Sequence, residues 1–193
     1  MAKFKYLGIL LLLQIFSGYG QAEERSGNSL KTSLYAAWLE GHDVEGLLLA
    51  TRLEYLKTVD ANFNGKQGYE LILGRSSTGA INYDDGGTRP SNSVFVALHS
   101  NWYYDVAPEA YVSPLGMAGA GFTVIHRIER GTVLDFYPTI NLGAGLRFGR
   151  PWRKLNFLLS INGQLGLGFS PNNYYYSLGY QMGVEYRFKN KKR

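Results

Sequence analysis

His42, His99 and His126 are the only imidazoles in a chain that has no cysteine. With no thiolate available, nucleophilic chemistry would fall to a hydroxyl held within hydrogen-bond reach of one of these rings. The run His99-Ser100-Asn101 contains the right residue types. Its spacing works against them, because neighbours in a strand point to opposite faces. His99 then reads as an inward side chain in a polar interior. A second set joins His42 to Ser76, Ser77, Asp84 and Asp85, all in or beside expected loops. Loops are ordinarily rich in Asp and Ser, so this set carries meaning only if folding brings it together. His126, beside Arg127 at an expected strand end, reads as an interface residue. No two histidines stand at a metal-ligand spacing, and no Gly-rich phosphate loop precedes a helix. Neither a metal nor a cofactor is expected.

The elements that must position these residues are strands. Residues 174–188 alternate Tyr174, Tyr176, Leu178, Tyr180, Met182, Val184, Tyr186 and Phe188 with Tyr175, Ser177, Gly179, Gln181, Gly183, Glu185 and Arg187. Only a two-residue repeat sorts those series onto opposite faces. Residues 132–148 and 155–169 alternate almost as cleanly. Strands of this length exceed the five or six residues usual in globular sheets and suit a tilted membrane crossing of about 9–11 residues or more. Weaker alternation marks 30–40, 46–56, 68–76, 93–103 and 110–126, with 30–40 ambiguous in phase. Eight strands result, with ten as the alternative count. Turn-forming breaks at 149–154 and 170–173 join the last three strands as antiparallel hairpins. Pro138 lacks an amide donor and calls for a bulge or a strand end. The longest gap, Ser77 to Asn92, is expected to be an outer loop.

The start of the chain has a different character. Lys3 and Lys5 precede an apolar run ending at Phe16, followed by Ser17, Gly18, Gly20 and Ala22. That is the layout of an export signal peptide, cleaved after Ala22 or Gly20. The organisation expected is therefore a signal peptide at 1–22, a short lead at 23–29, a barrel at 30–188 and a basic tail at 189–193. Removing Lys3 and Lys5 lowers the formal charge from +5 to +3. Much of the remaining basic charge sits in Arg150, Arg153, Lys154 and the tail rather than on one folded face, so no nucleic-acid partner is expected. After the leader, no stretch approaches the ~20 apolar residues of a spanning helix. Fifteen tyrosines and 24 glycines suit aromatic belts, tight turns and a crowded interior. A soluble all-β domain is the competing class.

Gln181, Gly183, Tyr186 and Phe188 occupy, in order, the places of a C-terminal pattern: polar, any residue, Gly, two residues, aromatic, any residue, aromatic. The segment resembles the insertion signal of bacterial outer-membrane proteins, although that pattern commonly ends a chain and here five residues follow. Over 30–188 the chain looks like the small barrels typified by the OmpA transmembrane domain and OmpX. The resemblance implies an all-β fold: a closed antiparallel up-and-down transmembrane barrel in the bacterial outer membrane. It implies contact with outer-membrane lipids and lipopolysaccharide, insertion by the barrel-assembly machinery, and a protein partner at the outer loops as a further option.

An eight-stranded barrel has an interior just wide enough for side chains to fill. Arg52, Glu54, Glu70, Asp135, Arg147, Glu185 and Arg187 fall on the expected inner face, where pairing across the lumen would offset their desolvation. The expected role is structural or surface-interacting. A narrow diffusion channel is one alternative, and a lipid A-modifying acyltransferase or deacylase is another. The deacylases of this membrane use a His-x-Ser-Asn pattern, from which the adjacent His99 and Ser100 depart. The membrane's palmitoyltransferase draws His, Asp and Ser from rim loops, which leaves His42 and Ser77 as its nearest counterparts here.

Overall fold

A computed structural model describes residues 27–41, 44–59, 65–82, 88–128, 133–151, 153–169 and 173–188. The expected leader, residues 23–26 of the lead, the basic tail, His42, Asp84 and Asp85 lie outside the described residues. Eight strands follow in chain order: β1 (Asn28–Gly41), β2 (Val44–Thr58), β3 (Gly65–Asn82), β4 (Thr88–Asp105), β5 (Val112–Arg127), β6 (Val133–Phe148), β7 (Leu155–Leu167) and β8 (Tyr174–Arg187). Each pairs antiparallel with the next, and β8 closes onto β1, so the sheet has no edge. The eight-strand count holds over ten.

Side chains alternate between two solvents. The outer wall carries Leu34, Leu49, Leu73, Leu98, Phe122, Leu142, Ile161 and Leu178, one from each strand, between 48 and 63 % exposed. A continuous apolar girdle of this kind is foreign to the surface of a dissolved monomer, where large exposed apolar patches are uncommon. Aromatic belts bound it. Tyr55, Tyr69, Trp102 and Tyr104 project outward toward the end that carries both termini, and Trp38, Phe136, Phe169, Tyr174 and Tyr176 toward the far end. Phe136 stacks between Phe122 and Phe169, at ring-centre distances of 5.2 and 6.2 Å. In β1, whose phase the sequence leaves open, Leu34, Ala36 and Trp38 face out, while Lys31, Ser33, Tyr35, Ala37 and Leu39 are buried inside.

The barrel is staggered. Register partners lead from Lys31 through Glu54, Glu70, His99, Gly121, Thr139, Gly166 and Tyr175, and return to β1 at Gly41, ten residues beyond the start. For eight strands this stagger corresponds to a tilt of about 40°. Passing from β1 to β2 to β3, a perpendicular path therefore climbs toward the far end. Inward residues one register step apart thus form a spiral, with charges on its lower coil and Tyr175 on its upper one.

Two expectations need correction. The gap from Ser77 to Asn92 is not a long loop: β3 and β4 continue to pair through Ala80↔Pro90, Ile81↔Arg89 and Asn82↔Thr88, after a register shift between Ser77 and Ala80. Backbone pairing needs no apolar side chains, so a ladder without apolar alternation leaves no periodic signal. Pro138 makes neither a bulge nor a strand end, since it lies inside β6 and the β5–β6 register runs unbroken through Phe122↔Pro138. The β6–β7 ladder stops at Thr139↔Gly166, and Pro138 is the first residue past its end.

Large inward side chains lie over inward glycines. A Cβ at Gly166 would collide with the Tyr175 ring, whereas one at Gly163, which faces outward, would meet nothing nearer than 3.7 Å. Gly166→Ala should therefore lower the urea-unfolding midpoint in micelles by the equivalent of about 1–3 kcal/mol, with Gly163→Ala nearly silent. Equal effects at the two sites would contradict the packing described.

Candidate functional site

The lumen is built in tiers, and the tier toward the termini is ionic. Arg52 donates from Nε and Nη2 to the two oxygens of Glu70, at 2.5 and 2.6 Å, in a planar fork. Lys31 Nζ reaches Glu54 Oε2 at 2.8 Å and the Tyr103 hydroxyl at 2.9 Å, and that hydroxyl donates to the same Glu54 oxygen. Asn101 binds the two acids together, its Nδ2 lying 3.0 Å from Glu54 Oε1 and from Glu70 Oε2. His99 Nδ1 stands 3.7 Å from Glu70, and Asn141 extends the array through Asn101 Oδ1 at 2.7 Å. Two cations therefore face two carboxylates, all almost fully buried. Desolvating an isolated charge would cost several kcal/mol, so such a cluster survives only by internal neutralisation and hydrogen bonding. The Arg52 guanidinium also lies 5.1 Å over the Tyr35 ring.

Nearer the termini, Glu185 accepts from Lys66 at 2.6 Å and from Ser29 at 2.7 Å. Arg147 donates to Asp105 at 2.7 Å and to the carbonyls of Pro108 and Ala110, which fastens the β4–β5 turn to the barrel mouth. Arg187 donates to the Pro151 carbonyl at the same end. Asp135 stands apart from these groups: it lies toward the far end and pairs with Arg127 at 2.8 Å.

Above the ions the lumen turns apolar. Tyr35, Leu39, Leu48, Ile72, Phe95, Ile125, Tyr137 and Tyr175 form one buried cluster, none more than 3 % exposed. Tyr175 packs edge-on against Phe95 and Tyr137, with ring centres 5.8 and 5.0 Å away, a geometry worth about 0.5–1.5 kcal/mol per pair beyond area burial. Its hydroxyl donates to Thr123 at 2.7 Å. The interior is thus charged below and aromatic above, with Ser76, Ser93, Thr123 and Ser177 buried there as well.

Comparison with solved structures gives the same architecture. The crystal structure of Neisserial surface protein A is similar at a TM-score of 0.65, with 10 % identity over 86 % of this chain and all of that one. Ail, the attachment invasion locus protein of Yersinia pestis, crystallised with the heparin analogue sucrose octasulfate, is similar at 0.56 and 14 % identity over 86 % and 100 %. This chain has the fold of the small outer-membrane barrels. The outer-membrane enzyme PagL shares that fold at a TM-score of 0.51, with 15 % identity over 79 % of this chain and 97 % of its own. Comparisons with protein-family models and with curated proteins give no match.

The barrel separates one candidate catalytic pair. His99 is buried in the lumen beside Glu70, while Ser100 sits on the opposite face in register with Tyr69 and Ala120. The ring cannot reach that hydroxyl. Ser77 is exposed on the outer wall at the far end of β3. His126 lies on the outer wall, in register with Val94 and Leu134, and the residue two further on is Ile128. Among the described residues no group of three His, Asp or Glu could hold a metal ion. At the end of β8, Gln181 is buried and bonded to Ser33 at 2.5 Å, Gly183 is buried, and Tyr186 meets Phe188 edge-on at 5.7 Å.

Several partners in these tiers escape a sequence reading. Lys31 belongs to the strand of ambiguous phase, Lys66 precedes the expected start of its strand, and Asp105 reads as part of a turn. Tyr35, Tyr137 and Tyr175 share faces with polar residues, so nothing local marks them as an apolar cluster. Removing one member of the central pair should be far costlier than removing both. Glu70→Leu is expected to destabilise the barrel by about 3–5 kcal/mol, and Arg52→Met/Glu70→Leu to recover most of that loss. Denaturant titration of the single and double variants measures the coupling; additive losses would contradict it.

Proposed function

We propose that the protein is an integral barrel of the bacterial outer membrane whose lumen is sealed, and whose work is done by its wall and its far-end connections. In this reading it is exported with a cleaved leader and inserted by the barrel-assembly machinery through the segment ending at Phe188. It then supports the envelope, or presents its outer rim to lipopolysaccharide or to a protein partner. The observation that carries the proposal is the two-tier lumen, a neutral ionic layer beneath a buried aromatic cluster.

Three further facts support it. A closed sheet satisfies its backbone internally, which hydrocarbon demands. The apolar wall is bounded by two aromatic belts. Proteins that share the fold include one named for attachment and invasion. The connections β3–β4 and β7–β8 lie at the end away from the termini, so they face outward when both termini are periplasmic.

Planar-bilayer recordings of the purified, refolded barrel should show no steady conductance; a stable open level would make it a diffusion channel instead. Lipid A isolated from cells with and without the protein should have the same acyl pattern by mass spectrometry. A missing or added chain would make it a lipid A-modifying enzyme.

A further inference from the structure

Arg75 departs from the pattern of the wall. It faces outward on β3, exposed, in the register row of Leu49 and Val94. Inside the barrel Lys31, Arg52, Lys66 and Arg147 each stand against a carboxylate. Arg75 instead donates from Nη2 to the neutral side-chain amide of Asn92, at 3.2 Å, and among the described residues no acid pairs with it. An arginine on a lipid-facing barrel surface is costly at depth and tolerable near the interface, where its head can find an anion.

A groove adjoins it. A depression of about 760 Å³ crosses β3, β2, β1 and β8, with Arg75 at one extremity and Leu159 at the other. Ala36 and Thr51 form its floor on the outward face, and Leu34, Leu49, Tyr180 and Met182 flank it. The stagger of the barrel sets its slope. Arg75, two strands on from Ala36, is lifted to roughly the height of the Trp38 belt, and Leu159 lies roughly 17 Å lower toward the termini. That drop matches an extended acyl chain hanging from a head group at the far-end interface.

We propose that Arg75 and this groove hold one phosphate-bearing glycolipid of the outer leaflet. Its phosphate sits on the guanidinium, with Asn92 alongside, and one acyl chain lies over Ala36 and Thr51. The proposal rests on the membrane placement given under Proposed function and names the lipid that the wall selects. The charges are complementary, and the small floor residues leave room that a ridge of Leu would fill.

The test places the full barrel in nanodiscs of phosphatidylcholine doped with diphosphorylated lipid A, or with the same lipid A stripped of its phosphates. Native mass spectrometry then counts lipid retained as detergent is added. Wild-type protein should retain one phosphorylated lipid A and lose the dephosphorylated form early. Arg75→Gln should lower retention about fivefold, Arg75→Lys should keep most of it, and Ala36→Phe should lower it with Arg75 intact. Equal retention by wild type and Arg75→Gln, or of both lipid A forms by wild type, overturns the phosphate assignment. Unchanged retention in Ala36→Phe overturns the groove. A heat-dependent gel shift reports the folding of each variant, and Thr51→Leu fills the same floor should Ala36→Phe fail to fold. A barrel that inserts and stays sealed without retaining the lipid leaves the membrane reading intact and removes only this one.

Discussion

The bidentate contact between Arg52 and Glu70 is the interaction around which the interior is organised. Both side chains are excluded from solvent, so neither could remain ionised without the other. The fork fixes the Glu70 carboxylate, Asn101 bridges that carboxylate to Glu54, and Glu54 in turn binds Lys31 and Tyr103. Strands β1, β2, β3 and β4 are thereby linked across the lumen as well as through their backbone ladders. The formal charges of the four ionic residues cancel, which lets a charged layer lie beneath an apolar one.

The stagger makes this layering possible in so narrow a tube. A ten-residue offset around eight strands sends register neighbours up a spiral, so residues adjacent in the sheet occupy different heights in the lumen. Glu70 and His99 are neighbours on its lower coil, and Thr139 leads toward Tyr175 above. Tyr175 can then pack edge-on against Phe95 and Tyr137 without contesting space with the guanidinium below. Gly68 and Gly166 leave the gaps into which the Glu54 carboxylate and the Tyr175 ring fit.

The alternation in 132–148, 155–169 and 174–188 discloses the long strands and their faces, because one side of each meets an apolar exterior. Where that contrast fades, legibility fades with it. The β3–β4 extension past Ser77 pairs in the sheet but lacks apolar alternation in its sequence, so it reads as a loop. The inner face of Arg52, Glu54 and Glu70 follows from strand phase, but who pairs with whom depends on stagger, which no single strand encodes. Lys31 shows the difficulty: its strand is ambiguous in phase, yet its ammonium lies 2.8 Å from Glu54. His99 and Ser100 show the reverse, since a two-residue repeat alone forbids their meeting. Arg75 lies in the expected 68–76 strand, yet its significance appears only beside Ala36 and Thr51, which neighbouring strands bring to it.

Inner and outer walls treat cations in opposite ways. Inside, Arg52 and Arg147 are neutralised by acids of the same chain; outside, Arg75 is left to the surroundings. The most direct test of the sealed, self-neutralised interior is hydrogen exchange at the Arg52 Nε proton, followed by NMR of the barrel in micelles with Arg75 Nε as internal reference. The account predicts that the Arg52 proton persists long after that of Arg75 has exchanged. Exchange of both protons at the same rate would show that water reaches the ionic layer, and would contradict it.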